Sequence, residues 1–355
     1  MDPSAHRRSL PRLKIAVLAP ISWRTPPVHY GPWELFASLL TEGLVARGHD
    51  VMLFATADSV TSAELSSVVE RGWSEDPEID PKVAECTHIA AVFERAGEFD
   101  VIHNSFDFLP LTYSRLVDTP LVTTVHGFSS PRIVAVYERY TDRSAYVAIS
   151  DANRHPRLDY HATIHHGVDT DAFALHPSPG DHLLFFGRIH PHKGTAEAIE
   201  VARRAGRPLI IAGIVQDQAY FESAVEPHID GSSVQFVGPV SATDRSAVLG
   251  GAHALLHLID FDEPFGFSVA EALACGTPVI ANDRGSMREL IDDETTGFVV
   301  TGTDAAVSAV ERVAALDRAH VRAVAVDRFR IDRMVDAYIE VYRQVTAGPS
   351  TTAGQ

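Results

Sequence analysis

Cysteine is nearly missing from this chain: Cys86 and Cys275 are the only two in 355 residues, and they form no CxxC pair. That excludes a disulfide scaffold and a zinc ribbon, and a reducing cytoplasm is the expected compartment. Long apolar runs are missing too. None approaches the roughly 18–20 residues that span a bilayer. The stretch Ile15–Ala19, behind the basic start MDPSAHRRSLPRL, is too short for a signal-peptide core and reads as a first strand. Positive charge is scarce, with 30 Lys and Arg against 47 Asp and Glu, a formal charge of −17. Such a field repels phosphate backbones, so no nucleic-acid partner is expected. An anionic ligand has to be held by a few local cations and backbone N–H groups. Peripheral membrane contact stays open.

What is present is a steady alternation of short apolar runs and amphipathic stretches. Runs occur at Lys14–Ala19, Val51–Phe54, Val101–His103, Leu121–Val125, Tyr146–Ile149 and Ala162–His165. A second set occupies Leu183–Phe186, Leu209–Ala212, Val234–Val237, Ala254–Leu258, Val279–Ala281 and Phe298–Val300. Most lack strict alternation, the pattern of parallel strands buried on both faces. Between them lie helical segments such as Trp33–Arg47 and Thr195–Ala205, each closed by a glycine, Gly48 or Gly206. This order predicts an α/β fold with two doubly wound sheets. The Gly-, Pro- and Asp-rich stretch His166–Asp181 is the expected boundary. In open α/β sheets ligands bind beyond the carboxyl ends of the strands, so the chemistry is sought in the strand-to-helix loops.

Asp262–Ala281, DEPFGFSVAEALACGTPVIA, leads from such a strand into a helix. Glu263 falls in the loop and Glu271 in the first helical turn, while Gly266 permits close backbone approach beside a phosphate-binding helix N-terminus. Carboxylates there can accept from sugar hydroxyls. Two alternatives stay open: Ser268-x-x-Glu271 is also a capping box, and Glu263 a solvated acid. In Gly187–Gly194, GRIHPHKG, Arg188 and Lys193 flank a turn at a strand end, which suits a diphosphate; a solvated basic turn is the plain alternative. The loop Pro20–Glu34 lacks the GxGxxG of a dinucleotide site and brings Gly31 to a helix start. His126, in TTVHG, ends a buried strand and faces the expected cleft, or is a structural histidine. The pairs His161/His165 and His190/His192 have no carboxylate or cysteine to complete a metal site, so no protein-bound metal is expected.

Together these segments resemble the retaining GT-B nucleotide-sugar glycosyltransferases of family four (glycosyl transferases group 1), over residues 14–345. EPFGFSVAEALACGTPVIA is similar to the family's E-x7-E motif, and GRIHPHKG to its G-R-x-x-x-x-K-G loop. HHGVDTDAF resembles the interdomain N-G-V-D-x-x-x-F segment, and GSMRELIDDETTGFVV the motif that closes the C-terminal domain. The resemblance implies a GT-B fold, two Rossmann-like domains facing across a cleft. Residues 13–170 would form the acceptor-side domain and 171–330 the nucleotide-sugar domain. Residues 331–346 would pack back on the first domain, and 1–12 and 347–355 would be disordered tails.

By the same resemblance, Arg188 and Lys193 bind the donor diphosphate and Glu271 the ribose. Glu263, with the backbone of Phe265, Gly266 and Phe267, holds the donor sugar and the distal phosphate. His126 matches a histidine near that sugar, and Gly31 the first glycine of a Gly-Gly-x-Glu loop. Pro32 replaces the second glycine and removes one N–H, which puts Gly31 and Glu34 in question as donor contacts. Ser150 matches a common strand-end serine. The implied reaction transfers a hexosyl group from a nucleoside-diphosphate sugar to an acceptor hydroxyl with retention, with no cofactor and no metal. The acceptor (lipid, saccharide or small molecule) is undetermined. A nucleotide-sugar 2-epimerase of the same fold and a non-catalytic two-lobed sugar-binding protein are the alternatives.

Overall fold

The computed structural model describes residues 12–347; the expected tails lie outside these residues, apart from Arg12 and Ala347. The N-terminal half runs β1 (Lys14–Leu18), α1 (Pro32–Ala46), β2 (Asp50–Phe54), β3 (Glu64–Ser66), α2 (Pro81–Glu94), β4 (Val101–Asn104), β5 (Leu121–Val125), α3 (Val134–Arg139), β6 (Ser144–Ala148) and β7 (Ala162–Thr163). Its seven strands lie in the order β3-β2-β1-β4-β5-β6-β7, every pair parallel. The C-terminal half begins with β8 (Leu183–Phe186), α4 (Thr195–Arg204), β9 (Leu209–Ala212), α5 (Gln218–Tyr220), β10 (Val234–Gly238), α6 (Arg245–Gly251) and β11 (Ala254–His257). It continues through α7 (Phe267–Ala274), β12 (Val279–Asn282), α8 (Met287–Leu290), β13 (Gly297–Val300), α9 (Thr303–Arg312) and α10 (Arg318–Phe329), and ends in α11 (Ile331–Thr346). Its six strands, β10-β9-β8-β11-β12-β13, are again all parallel.

The fold is therefore GT-B-like α/β: two doubly wound sheets, with every strand expected from the apolar runs present within two residues. Central strands are buried along their length, as in β5 and β11, which is why they read as unbroken apolar runs. One strand had no such signal. β3, ELS, is a half-exposed edge strand of three residues, too short and too polar to stand out from a loop.

In both sheets the strand order reverses beside the first strand, between β1 and β4 and between β8 and β11. Crevices open there at the carboxyl ends. The chain crosses between the halves twice, side by side: Val168 N–H donates to Phe329 O at 2.6 Å, and Val168 forms a parallel bridge with Arg330. Gly167 sits so close to the second crossing that a Cβ would come 2.7 Å from Ile331 Cα. α11 then returns to the N-terminal half. Its Val335 fills the space over Gly43 of α1, its Tyr338 and Tyr342 hydroxyls bond Thr124 and His103, and Arg47 pairs with Asp332 and Asp336. No described helix is long and apolar enough to cross a membrane.

Candidate active site

After β8 the chain turns through Gly187–Gly194 into α4. Gly194 is left-handed (φ 76°), and a Cβ on it would lie 2.1 Å from Leu258 O, so the turn lies flush against the end of β11. This close approach delivers Lys193 to the next loop. Its Nζ donates to Glu263 Oε2 at 2.6 Å and stands 4.6 Å over the Phe261 ring. His257 Nε2, at the last residue of β11, lies 3.7 Å from the same oxygen. Burial works against a charge on Glu263, but His257 and Lys193 outweigh it and hold the carboxyl down to about 2. Burial holds the His257 imidazole itself below its ordinary range. The loop thus carries a fixed ion pair at the mouth of α7.

α7 starts at Phe267, with left-handed Gly266 (φ 96°) as its N-cap and no side-chain cap bond. Two expectations are corrected here. Ser268 lies inside the helix, so it forms no capping box with Glu271, and Glu271 stands in the second turn. It is 3% exposed, and the cation beside it is Arg245 of α6, whose Nε is 3.1 Å from Oε2 without hydrogen-bond alignment. Burial raises its pKa, and Arg245 only partly opposes this. A buried carboxylate with an oxygen lacking a hydrogen bond is an acceptor awaiting a donor. The side chains of Phe265 and Phe267 pack against His166.

The N-terminal half supplies the opposite wall. Gly31, at φ 151°, N-caps α1, and Pro32 takes the first helical position, where no N–H is missed. A Cβ on Gly31 would lie 2.8 Å from Glu34 Oε2. Glu34 is 3% exposed; its Oε1 accepts from Trp23 N–H at 3.3 Å, and burial raises its pKa to about 7. Tyr30 reaches across: Arg188 Cζ lies 5.2 Å from its ring centroid, and Arg188 also bonds Gln216. Burial raises the Tyr30 phenol, which feels Arg188, Glu263 and Glu34 together. Tyr30 marks where the two halves meet. His126 follows β5, stacked on Trp33 at 5.1 Å, edge-on to Phe36 and 5.3 Å from His166. Neither of its nitrogens has a partner among the described residues, and burial keeps it neutral.

Two family models match this chain: "Glycosyl transferases group 1" over residues 170–323 and "Glycosyltransferase Family 4" over residues 34–172. The chain belongs to this glycosyltransferase family. It is 29% identical to a D-inositol 3-phosphate glycosyltransferase of Saccharomonospora viridis over 99% of each chain. It is 26% identical to a glycogen synthase of Mycobacterium tuberculosis (strain H37Rv) over 81% of this chain and 82% of the relative. Among solved structures it is similar to AviGT4, a glycosyltransferase involved in avilamycin A biosynthesis. That match has a TM-score of 0.71 and 26% identity, over 95% of this chain and 98% of that one.

In this glycosyltransferase the loops bring Arg188, Lys193, Glu263, Gly266 and Glu271 to one end of the second sheet, and Gly31 and His126 to the facing end of the first. Sequence reasoning did not single out Arg245, His257 or Tyr30. His257 carried a signal, a polar residue closing a buried strand, the same position that marked His126. Arg245 carried none, because its partner lies 26 residues away on another helix. Each imidazole of the two histidine pairs has its own neighbour: His161 meets Gln344, His165 meets Glu289, His190 caps the following turn and His192 meets Asp260. Among the described residues no group of three or more His, Cys, Asp or Glu is placed to hold a metal ion.

Proposed function

We propose that this glycosyltransferase moves a hexosyl group from a nucleoside-diphosphate sugar to an acceptor hydroxyl and keeps the anomeric configuration. The observation that carries the reading is the Lys193–Glu263 pair beside the N-terminus of α7, with Arg188 on the same loop. A sugar diphosphate presents both the anion that Lys193 and Arg188 suit and the hydroxyls that a carboxylate accepts from. Lys193, Arg188 and the first N–H groups of α7 take the diphosphate. Glu263, released from Lys193, turns to the sugar hydroxyls, and Glu271 accepts from the ribose.

In the transfer itself the anomeric carbon–phosphate oxygen bond breaks as the bond to the acceptor oxygen forms. The acceptor proton passes to the departing phosphate oxygen. The protein's part is to stabilise charge on the diphosphate and on the oxocarbenium-like sugar, for which prearranged charges outweigh a base. His126, neutral and wedged between aromatic rings, suits a hydroxyl contact. The account needs no protein-bound metal, so transfer should persist in excess EDTA; rescue of a dead enzyme by magnesium would refute it. The cytoplasm is the proposed compartment, in keeping with two free thiols, Cys86 and Cys275.

The deciding experiment is calorimetry with UDP, GDP, ADP and TDP, then proton NMR of the product formed from the matching sugar donor. One nucleotide should bind best, and the product should retain the donor's anomeric coupling. An inverted centre would overturn the mechanism.

A further inference from the structure

One short helix holds on to both halves. Ser286, just ahead of α8, donates its N–H to Glu263 O at 2.9 Å and its hydroxyl to Phe265 O at 2.6 Å. The head of α8 therefore fixes the loop that bears Glu263. Three residues on, Glu289 reaches into the N-terminal half. One carboxylate oxygen accepts from Asp151 N–H and the other from Ala152 N–H, each at 2.8 Å, and His165 Nε2 lies 3.0 Å from the first. A carboxylate using both oxygens on successive N–H groups sets orientation as well as distance. Burial opposes its charge, but His165 and the two N–H groups outweigh this and hold the carboxyl below its usual range.

A second strut runs alongside. Ser150 Oγ donates to Pro264 O at 2.6 Å and accepts from Asn153 N–H at 3.0 Å. A Cβ on Gly127, next to His126, would lie 3.3 Å from Pro264 Cγ. The struts therefore meet the loop that carries Glu263 at the point where it faces His126.

We infer that Glu289 is a positioning residue: its carboxylate clasps the two halves in the closed arrangement in which His126 and Glu263 address the same donor sugar. It touches no substrate and acts through the Ser150–Ala152 turn and the Glu263 loop. Open and closed forms of a two-domain protein lie close in free energy, so charge-assisted hydrogen bonds of this kind decide the balance. The activity arm of the test rests on the proposed transfer reaction; the shape arm does not.

The test uses the full chain as wild type, Glu289→Gln and Glu289→Ala. Gln is isosteric, but its amide nitrogen cannot accept, so it breaks one of the two backbone bonds. Small-angle scattering of the ligand-free chain should give a larger radius of gyration for both variants. Calorimetry should show nucleoside-diphosphate affinity unchanged, since the nucleotide contacts lie in one half. The kcat for transfer should fall about tenfold or more. Ser150→Ala, which loosens the clasp from the other side, should shift the radius and kcat in the same direction and keeps the test open if Glu289→Ala does not fold. An unchanged radius of gyration overturns the inference whatever the activity. So does an unchanged kcat, or nucleotide affinity and Tm falling together with kcat, which would mean local damage. If the wild type transfers from no donor, the proposed function fails, and the scattering alone upholds or overturns the clasp.

Discussion

Lys193 and Glu263 meet at 2.6 Å although 70 residues separate them, and each is largely buried. The cation expected to hold a phosphate is therefore already neutralised by the carboxylate expected to hold the sugar. In the proposed reaction an arriving diphosphate takes over Lys193 and frees Glu263, and donor binding is thereby coupled to arming of the sugar contact.

Lys193→Ala and Arg188→Ala should each weaken nucleoside-diphosphate binding by about 1.5–3 kcal/mol. The monophosphate should lose far less. Lys193→Ala should in addition raise the Glu263 pKa, because burial then acts on the carboxylate without the ammonium that opposes it. Titration calorimetry checks the affinities, and unchanged values in both variants would remove this loop from the site.

Glu263→Gln should separate binding from turnover. Freed from its partner, Lys193 should bind the diphosphate at least as tightly as before. Transfer should drop on the order of 10²-fold, as for loss of one transition-state contact. Parallel loss of nucleotide affinity and kcat would give Glu263 a structural role instead.

Glu271→Gln should trade stability against binding. Burial already favours the neutral acid at this position, so the neutral amide should leave Tm equal or higher. Nucleotide affinity should fall, because an NH2 group replaces one of the two oxygens that can accept from the ribose. A lower Tm with unchanged affinity would show that the Arg245 contact serves the fold alone.

Glu34 should leave a mark on the pH dependence of stability. Its folded-state pKa of about 7 exceeds the ordinary 4.5, so between these values the native state holds a proton that the unfolded chain has released. Stability should therefore fall as pH rises from about 4.5 to 7 and flatten above. Glu34→Gln should remove this slope and stabilise the protein at pH 8 by on the order of 3 kcal/mol. Chemical denaturation at several pH values measures it; identical slopes for variant and wild type would contradict a buried acid.

The sequence by itself determined the parallel α/β layout and the loops in which the candidate site lies. Strands buried on both faces must be short continuous apolar runs, and Gly194 and Gly266 mark where the backbone turns left-handed at a strand-to-helix junction. Arg188, Lys193 and Glu263 stood out as charged residues in strand-to-helix loops, and Glu271 by its spacing from Glu263 at the head of the following helix. The tertiary structure alone decided who faces whom. It put Lys193 on Glu263, Arg245 on Glu271 and Arg188 under Tyr30, and it made Gly266 the cap, so that Ser268 has no capping role. It also sent Glu289 across to Asp151 and Ala152, 138 and 137 residues away. No local pattern encodes such pairs. They arise only when two sheets, each folded by its own core, are brought with their carboxyl ends facing and their loops share one crevice.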